Sequence, residues 1–370
     1  MTTFAYDNAG NQASVKDANQ NTTQYVYDAL NRQVQVIYPD QTSSSTAYDV
    51  LGRVASKTDQ AGKVTAYGYD KLGRLTSVTQ DAVPGGLNLV TSYGYDEVGN
   101  RISQTDANQH TTTYGYDNLG RRTSRKLPAG QSESYTYDSA GNLKTKVDFN
   151  GKTTTYAYDT NNRLLSKTPD PSFSAQPVSF TYFNNGLRKT MVDPSGTTSY
   201  VYDNRNHLQT KQTPEGTLNY TYDNAGDLLT LASSNANGAS DTYTYDALNR
   251  LSTVVDASGT TTYAYDKVGN LQSFAYPNGV TTAYTYDPLN RLTQMGAGKN
   301  GTQQANYNYT LGAAGNRRQP ALGHAGHRDF AFVFTDLYAA EEEDGPLHHA
   351  GRDSWSYADS DRMGRRHQPH

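Results

Sequence analysis

The chain has no cysteine and a single tryptophan, Trp355, in 370 residues. Disulfides and thiolate chemistry are therefore excluded, although the lack of cysteine names no compartment. No apolar run approaches the roughly 18 residues that a membrane span needs. The opening MTTFAYDNAG has neither the basic start nor the apolar stretch of a secretory signal. Excess positive charge is missing as well. Of a formal net charge of −4, residues 1–319 contribute nothing, with 27 basic and 27 acidic side chains interspersed. That leaves no electrostatic footprint for nucleic acid or an anionic membrane. Aliphatic residues are scarce, which would argue for disorder if the chain were not rich in aromatics.

What the chain has in abundance is tyrosine, 31 residues, and glycine, 32. Tyrosine followed by aspartate recurs at 6, 27, 48, 69, 95, 116, 137, 158, 202, 222, 245, 265 and 286, and degenerate copies sit at Tyr182-Phe183 and Tyr309-Thr310. Spacings of 20 or 21 residues, stretched to between 23 and 26 in places, make fifteen copies of one unit. Two residues before each of these tyrosines stands another aromatic in every copy but one, where Thr46 replaces it. Side chains two apart share a face of a strand. Thr112-Thr113-Tyr114-Gly115-Tyr116 is thus expected to be a β-strand with an aromatic face.

The turn follows. The third residue after the aspartate is Gly in nine copies and Asn in five, the two residues that most readily accept positive φ. An aspartate opening a turn can accept a backbone N–H two residues on. The structural residues of the unit are accordingly Tyr27, Asp28 and Asn31; Tyr69, Asp70 and Gly73; Tyr114, Tyr116, Asp117 and Gly120; Tyr245, Asp246 and Asn249; and Tyr286, Asp287 and Asn290. A second strand and a second turn, such as the DANQ of 17–20 and 106–109, complete each unit. One hairpin is marginal alone, but stacked hairpins form a continuous sheet. The expected fold is all-β, a repetitive hairpin array over residues 1–319 in a curved or spiralling sheet, with a divergent tail over 320–370. If tyrosine is its buried packing residue, Tyr116→Ala should cost about 3 kcal/mol.

The phrases YDKLGRL (69–75), YDALNRL (245–251) and YDPLNRL (286–292) resemble the YD repeat of Rhs proteins, toxin-complex subunits, wall-associated proteins and teneurins. The resemblance covers about residues 4–318. It implies a β-ribbon that spirals into a hollow shell, in secreted or surface-located proteins. In Rhs and toxin-complex proteins the shell encloses a C-terminal toxin; in teneurins and surface proteins the array serves contact or adhesion. The partners it implies are a C-terminal toxin or other cargo and further parts of the shell. The opening inside the phrase, at Phe4-Ala5-Tyr6-Asp7, points to a fragment or a truncated reading frame.

Other chemistry finds less support. The segment VDPSGTT (192–198) resembles the family's self-cleavage region but departs from it at Thr197, and reads as an inter-strand turn; no catalytic aspartate is assigned. Aromatic repeats can also bind glycans or quaternary ammonium groups by stacking, so a surface carbohydrate-binding module is the alternative reading. Arg32, Arg53, Arg74, Arg121, Arg163, Arg250 and Arg291 follow the turn position and are expected to form cross-strand charge pairs or solvated turn edges. In the tail, His324, His327, His348 and His349 with Glu341–Asp344 are candidate metal ligands, but their spacing fits no helical metal motif. No cofactor or metal is assigned. The tail reads as a variable tip, a small effector or a stretch read out of frame.

Overall fold

The computed structural model describes residues 1–323; of the tail read at 320–370 only residues 320–323 are described, and they continue the last strand, while the tail's candidate metal ligands lie outside the described residues. It contains thirty strands and, among the described residues, no helix. The strands run from β1 (Thr3–Tyr6) and β2 (Gln12–Lys16) to β29 (Thr302–Leu311) and β30 (Arg317–Gly323). Every strand pairs antiparallel with its sequence neighbours, as β1 with β2 and β29 with β30. The result is one all-β meander of fifteen hairpins, called units one to fifteen below.

Each hairpin closes in the same way. In the sixth unit, the Gly120 amide donates to the Asp117 carbonyl at 2.9 Å, and the Asp117 amide donates to the Arg121 carbonyl at 3.0 Å. Gly120 has φ of 73°, and the register shifts by one residue just before Tyr116. This is a β-turn followed by a left-handed residue in a bulge, a connection that matches the twist of the strands it joins. All fourteen Gly and Asn residues at this position lie between 56° and 101°. The fifteenth unit differs from the sequence reading. Its turn is Gly312–Asn316, so Tyr309 holds the first aromatic position and Leu311 the second. Longer strands in this hairpin displace the phrase by two residues.

The tyrosines do not form a sealed core. Among the described residues only Tyr243, at 6% exposure, is a buried apolar side chain, and Tyr116 is half-buried. A single-layer sheet has no second layer to cover its aromatic face, so the expected 3 kcal/mol for a buried aromatic is too large here. The opposite face carries small residues facing each other across strands. Examples are Gly115 opposite Ser124 and Thr136 opposite Thr145, whose hydroxyls are 2.6 Å apart.

The sheet also winds. Asn19, in the turn between β2 and the third strand (Thr22–Tyr27), donates to Asp266 at 3.0 Å, in the turn after the twenty-fifth strand (Gly259–Tyr265). Asp40, in the turn after the fourth strand (Gln33–Ile37), lies 3.4 Å from Arg291, in the turn after the twenty-seventh (Val280–Tyr286). Both contacts therefore span 23 strands. They join opposite edges of the ribbon, turn to turn rather than strand to strand. The ribbon curves back upon itself as a winding and not as a closed barrel.

Candidate functional site: a repeated clasp on the turn edge

The aspartate of each phrase gathers the turn around its carboxylate. Asp117 Oδ1 accepts the amides of Leu119 and Arg121, both at 3.0 Å, and Oδ2 accepts Arg121 Nε at 2.8 Å. The same pair recurs at Asp28–Arg32, Asp70–Arg74, Asp246–Arg250 and Asp287–Arg291, with Nε–Oδ2 distances of 2.6–2.8 Å. The Arg32 guanidinium and then the Arg32 amide hold Asp28 below its ordinary pKa, and Arg74 does the same for Asp70. At Asp117 desolvation works the other way but is outweighed by the Arg121 amide and guanidinium, so its pKa is also lowered. Asp28, Asp70 and Asp117 are engaged, charged turn caps, with no proton to give in the neutral range.

The arginine then reaches into the next unit. Arg121 Nη1 donates to the Asp138 carbonyl at 3.3 Å, and the guanidinium lies 4.8 Å from the Tyr137 ring centroid. Arg53 repeats both contacts with Asp70 and Tyr69, at 3.2 and 4.6 Å. Arg74, Arg163 and Arg250 likewise reach the following unit's turn carbonyl and ring. In the opposite direction the second tyrosine of the phrase ties back to the preceding unit. Tyr27 donates to the Gln12 carbonyl, Tyr69 to Val54, Tyr116 to Arg101, Tyr245 to Leu228 and Tyr286 to Leu271, at 2.9–3.1 Å. The positive-φ residues Asn31, Gly73, Gly120, Asn249 and Asn290 hold the backbone between these contacts at 58°, 80°, 73°, 56° and 60°. Tyr–Asp–x–x–Gly/Asn–Arg is thus an inter-unit clasp.

Variants of the clasp replace arginine without losing the link. Asn142 Nδ2 donates to its own Asp138 and to Asn162 of the next unit, at 3.1 and 2.8 Å. His207 Nδ1 lies 3.0 Å from Asp203 Oδ2, and its ring packs 4.9 Å from that of Tyr222. Sequence reasoning placed the seven arginines at charge pairs or turn edges; their recurrence after the turn was visible, but their acceptors in the following unit were not.

Sequence reasoning missed a second feature entirely. Tyr114 lies directly opposite Arg125, and Arg125 directly opposite Glu133 on the next strand. Glu133 is only 5% exposed, lies 3.6 Å from Arg125 and 3.4 Å from Lys146, and accepts the Tyr135 hydroxyl. Burial first, and then Glu133, push the Tyr135 hydroxyl up to about 12; burial and Asp241 do the same to Tyr243. The available signal was a glutamate where most copies carry threonine or serine. The segment 192–198 forms a two-residue turn, with the Ser195 amide donating to Asp193 at 2.9 Å. No group of His, Asp and Glu suited to holding a metal ion occurs among the described residues.

Comparison with known proteins is consistent across the array. A model named Teneurin YD-shell matches residues 57–240, and one named RHS Repeat matches 2–43, 222–261 and 265–302. The chain belongs to the YD-shell/RHS-repeat family. Among solved structures, this YD-repeat array is similar to TcdB2-TccC3, with a TM-score of 0.71 and 16% identity over 86% of this chain and 20% of that one. TcdB2-TccC3-TEV gives 0.72 and 16% over 86% and 19%. The Tc holotoxin pore of Photorhabdus luminescens gives 0.62 and 18% over 85% and 18%. At these identities the likeness establishes the fold alone, and the YD-repeat chain spans about a fifth of the length of these structures. No curated protein matches it by sequence.

Proposed function

We propose that this YD-repeat array is a wall segment of an Rhs-like or toxin-complex-like polymorphic toxin, enclosing or presenting a C-terminal effector and acting as a secreted or surface protein. In this reading the array through its last strand, which ends at Gly323, is the wall and the chain beyond it is the variable tip. The carrying observation is the turn-to-turn seam, Asn19 with Asp266 and Asp40 with Arg291, which brings successive windings side by side. A wound antiparallel sheet uses its backbone donors and acceptors in strand pairing, so it can separate a polypeptide from proteases without any catalytic group. The mechanism is exclusion. The natural full-length gene product tests it: the segment following the array should survive a protease dose that digests the same segment expressed alone. Equal digestion rates contradict the shell.

A cleft of about 390 Å³ at the seam favours the second reading, glycan binding. Asn19, Asn21, Gln272, Tyr284 and Asn290 line it, and amides beside an aromatic ring suit a neutral sugar. Binding on a glycan array that is lost in Tyr284→Ala, with the fold retained, would support this reading; no binding removes it.

A further inference from the structure

The arginines of this protein fall into two classes. Those on the turn edge are neutralised by their own aspartates, as Arg121 is by Asp117 at 2.8 Å. On the tyrosine face Arg125 and Lys146 share Glu133, but five other cations have no such partner. Arg101 stands directly opposite Tyr95, Arg122 opposite Tyr116, Lys167 opposite Tyr156, Arg188 opposite Tyr182 and Lys211 opposite Tyr200. Directly opposite residues share a face of a sheet. Among the described residues, none of these five cations lies within ion-pairing distance of a carboxylate. They occupy units five to ten. Outside this zone the cations opposite these aromatic positions are Lys57 in the third unit and Arg317 in the fifteenth, and the position opposite the first aromatic is otherwise apolar, as at Val36, Val78, Leu231 and Val254.

We infer that the tyrosine face of units five to ten is a docking surface for an extended, acidic polypeptide segment with apolar residues beside its carboxylates. Glu133 shows how this face receives a carboxylate: two cations and a tyrosine hydroxyl converge on it. The neighbouring cations offer the same chemistry with no acid supplied. The guanidiniums are also held in place. Arg101 lies 5.6 and 5.1 Å from the ring centroids of Tyr93 and Tyr114, Arg122 lies 5.1 Å from Tyr135, and Arg188 lies 5.0 Å from Phe180. Such stacking leaves the guanidinium N–H edges to bind carboxylates. It also covers the aromatic faces that single-stranded nucleic acid needs for base stacking, which favours polypeptide over polynucleotide. The apolar zones on either side suit the uncharged side chains of the same segment. The inference rests on the shell reading only for the source of that segment, which would be enclosed cargo.

Fluorescence anisotropy on the full chain tests it, with a labelled peptide alternating glutamate and leucine as the probe. A glutamine–leucine peptide and single-stranded oligothymidylate serve as comparators. The glutamate peptide should bind saturably and more tightly than either comparator. The combined variant Arg101→Gln, Arg122→Gln, Arg188→Gln should weaken it about tenfold. Arginine-to-lysine changes at the same sites should weaken it less, and Lys71→Gln with Lys267→Gln, both on turns, should not change it. Absence of saturable binding, equal loss in the turn control, or tighter binding of the oligonucleotide overturns the inference. If peptide binding holds and protease protection of the natural product fails, the shell reading falls and the docking surface stands.

Discussion

The two edges of the ribbon are built by the same turn chemistry and differ in what they tolerate. On the edge carrying the Tyr-Asp phrase, five residues separate the paired strands in all fifteen hairpins. On the other edge the gap varies from two residues, at Pro194–Ser195, to nine, at 169–177. Both edges use aspartate caps. Asp106 accepts the amides of Asn108 and His110 at 2.9 Å, much as Asp117 does at the opposite end of the strand Thr111–Tyr116. The difference lies in the neighbours. Asp117 belongs to a clasp that reaches the next unit through Arg121, and Tyr116 reaches the preceding one. A turn that must meet its neighbour in nearly every unit cannot change length. On the other edge, links to neighbouring turns, such as Gln60 to Thr42 and Lys63 to Asp81, are occasional and length can vary.

The sharpest way to break this comparison is insertion. Three serines placed after Leu119 should cost about 3 kcal/mol and remove the links between units six and seven. The same insertion after Ala129, on the permissive edge, should cost about 1 kcal/mol, as expected for lengthening a loop. Equal shifts in denaturant midpoint would mean that the clasp contributes nothing. Next in size is the tyrosine. Tyr116→Ala should cost about 2 kcal/mol, since the ring is half-buried, and Tyr116→Phe about 1 kcal/mol for the lost bond to the Arg101 carbonyl.

A repair sharpens the same contrast. In the eleventh unit Asp227 occupies the arginine position beside Asp223, and its Oδ2 is buried without a partner. Asp227→Arg should restore the clasp and raise stability by about 0.5–1 kcal/mol in a thermal melt, whereas a loss would show that this unit is held in another way. The smallest effect is on pH. The lowered pKa values of Asp28, Asp70 and Asp246, caused first by their arginines, mean that these carboxylates stabilise the fold above their unfolded values. That contribution is lost as pH falls through the folded values. The denaturant midpoint should be level from about pH 5 to 7 and fall below about pH 4.

These contrasts also mark what could be read in the sequence. The strand–turn–strand unit was legible because Tyr114 and Tyr116 obey a period of two and Gly120 marks the positive-φ position. The family was legible from the same phrase. Arg121 was legible as a recurring charge but not as a link, because its carbonyl acceptor and its ring lie in the following unit. The zoning of the tyrosine face was hidden by the bulge, which sets Arg122 opposite Tyr116 and Ser124 opposite Gly115. A register counted without the extra residue puts the cations on the wrong face. The degenerate fifteenth copy was misplaced for a related reason, since only its strand pairing shows that Leu311 stands where tyrosine usually does. Spiralling was expected from the sequence, but which turns meet was not: Asn19 and Asp266 come together because small twists accumulate over 23 strands.

That winding is the centre of the account, and the absence of cysteine makes it directly measurable. In the variant Asn19→Cys, Lys267→Cys, a short bifunctional maleimide should join the two thiols within one chain, because residue 267 adjoins the seam contact at Asp266. In Asn19→Cys, Asn204→Cys, whose second site is an equivalent turn position three units away from the seam, the same reagent should give no intramolecular product. Efficient cross-linking of the first pair alone is the result predicted by a 23-strand winding. Failure of the first pair, or equal reaction of both, would contradict it.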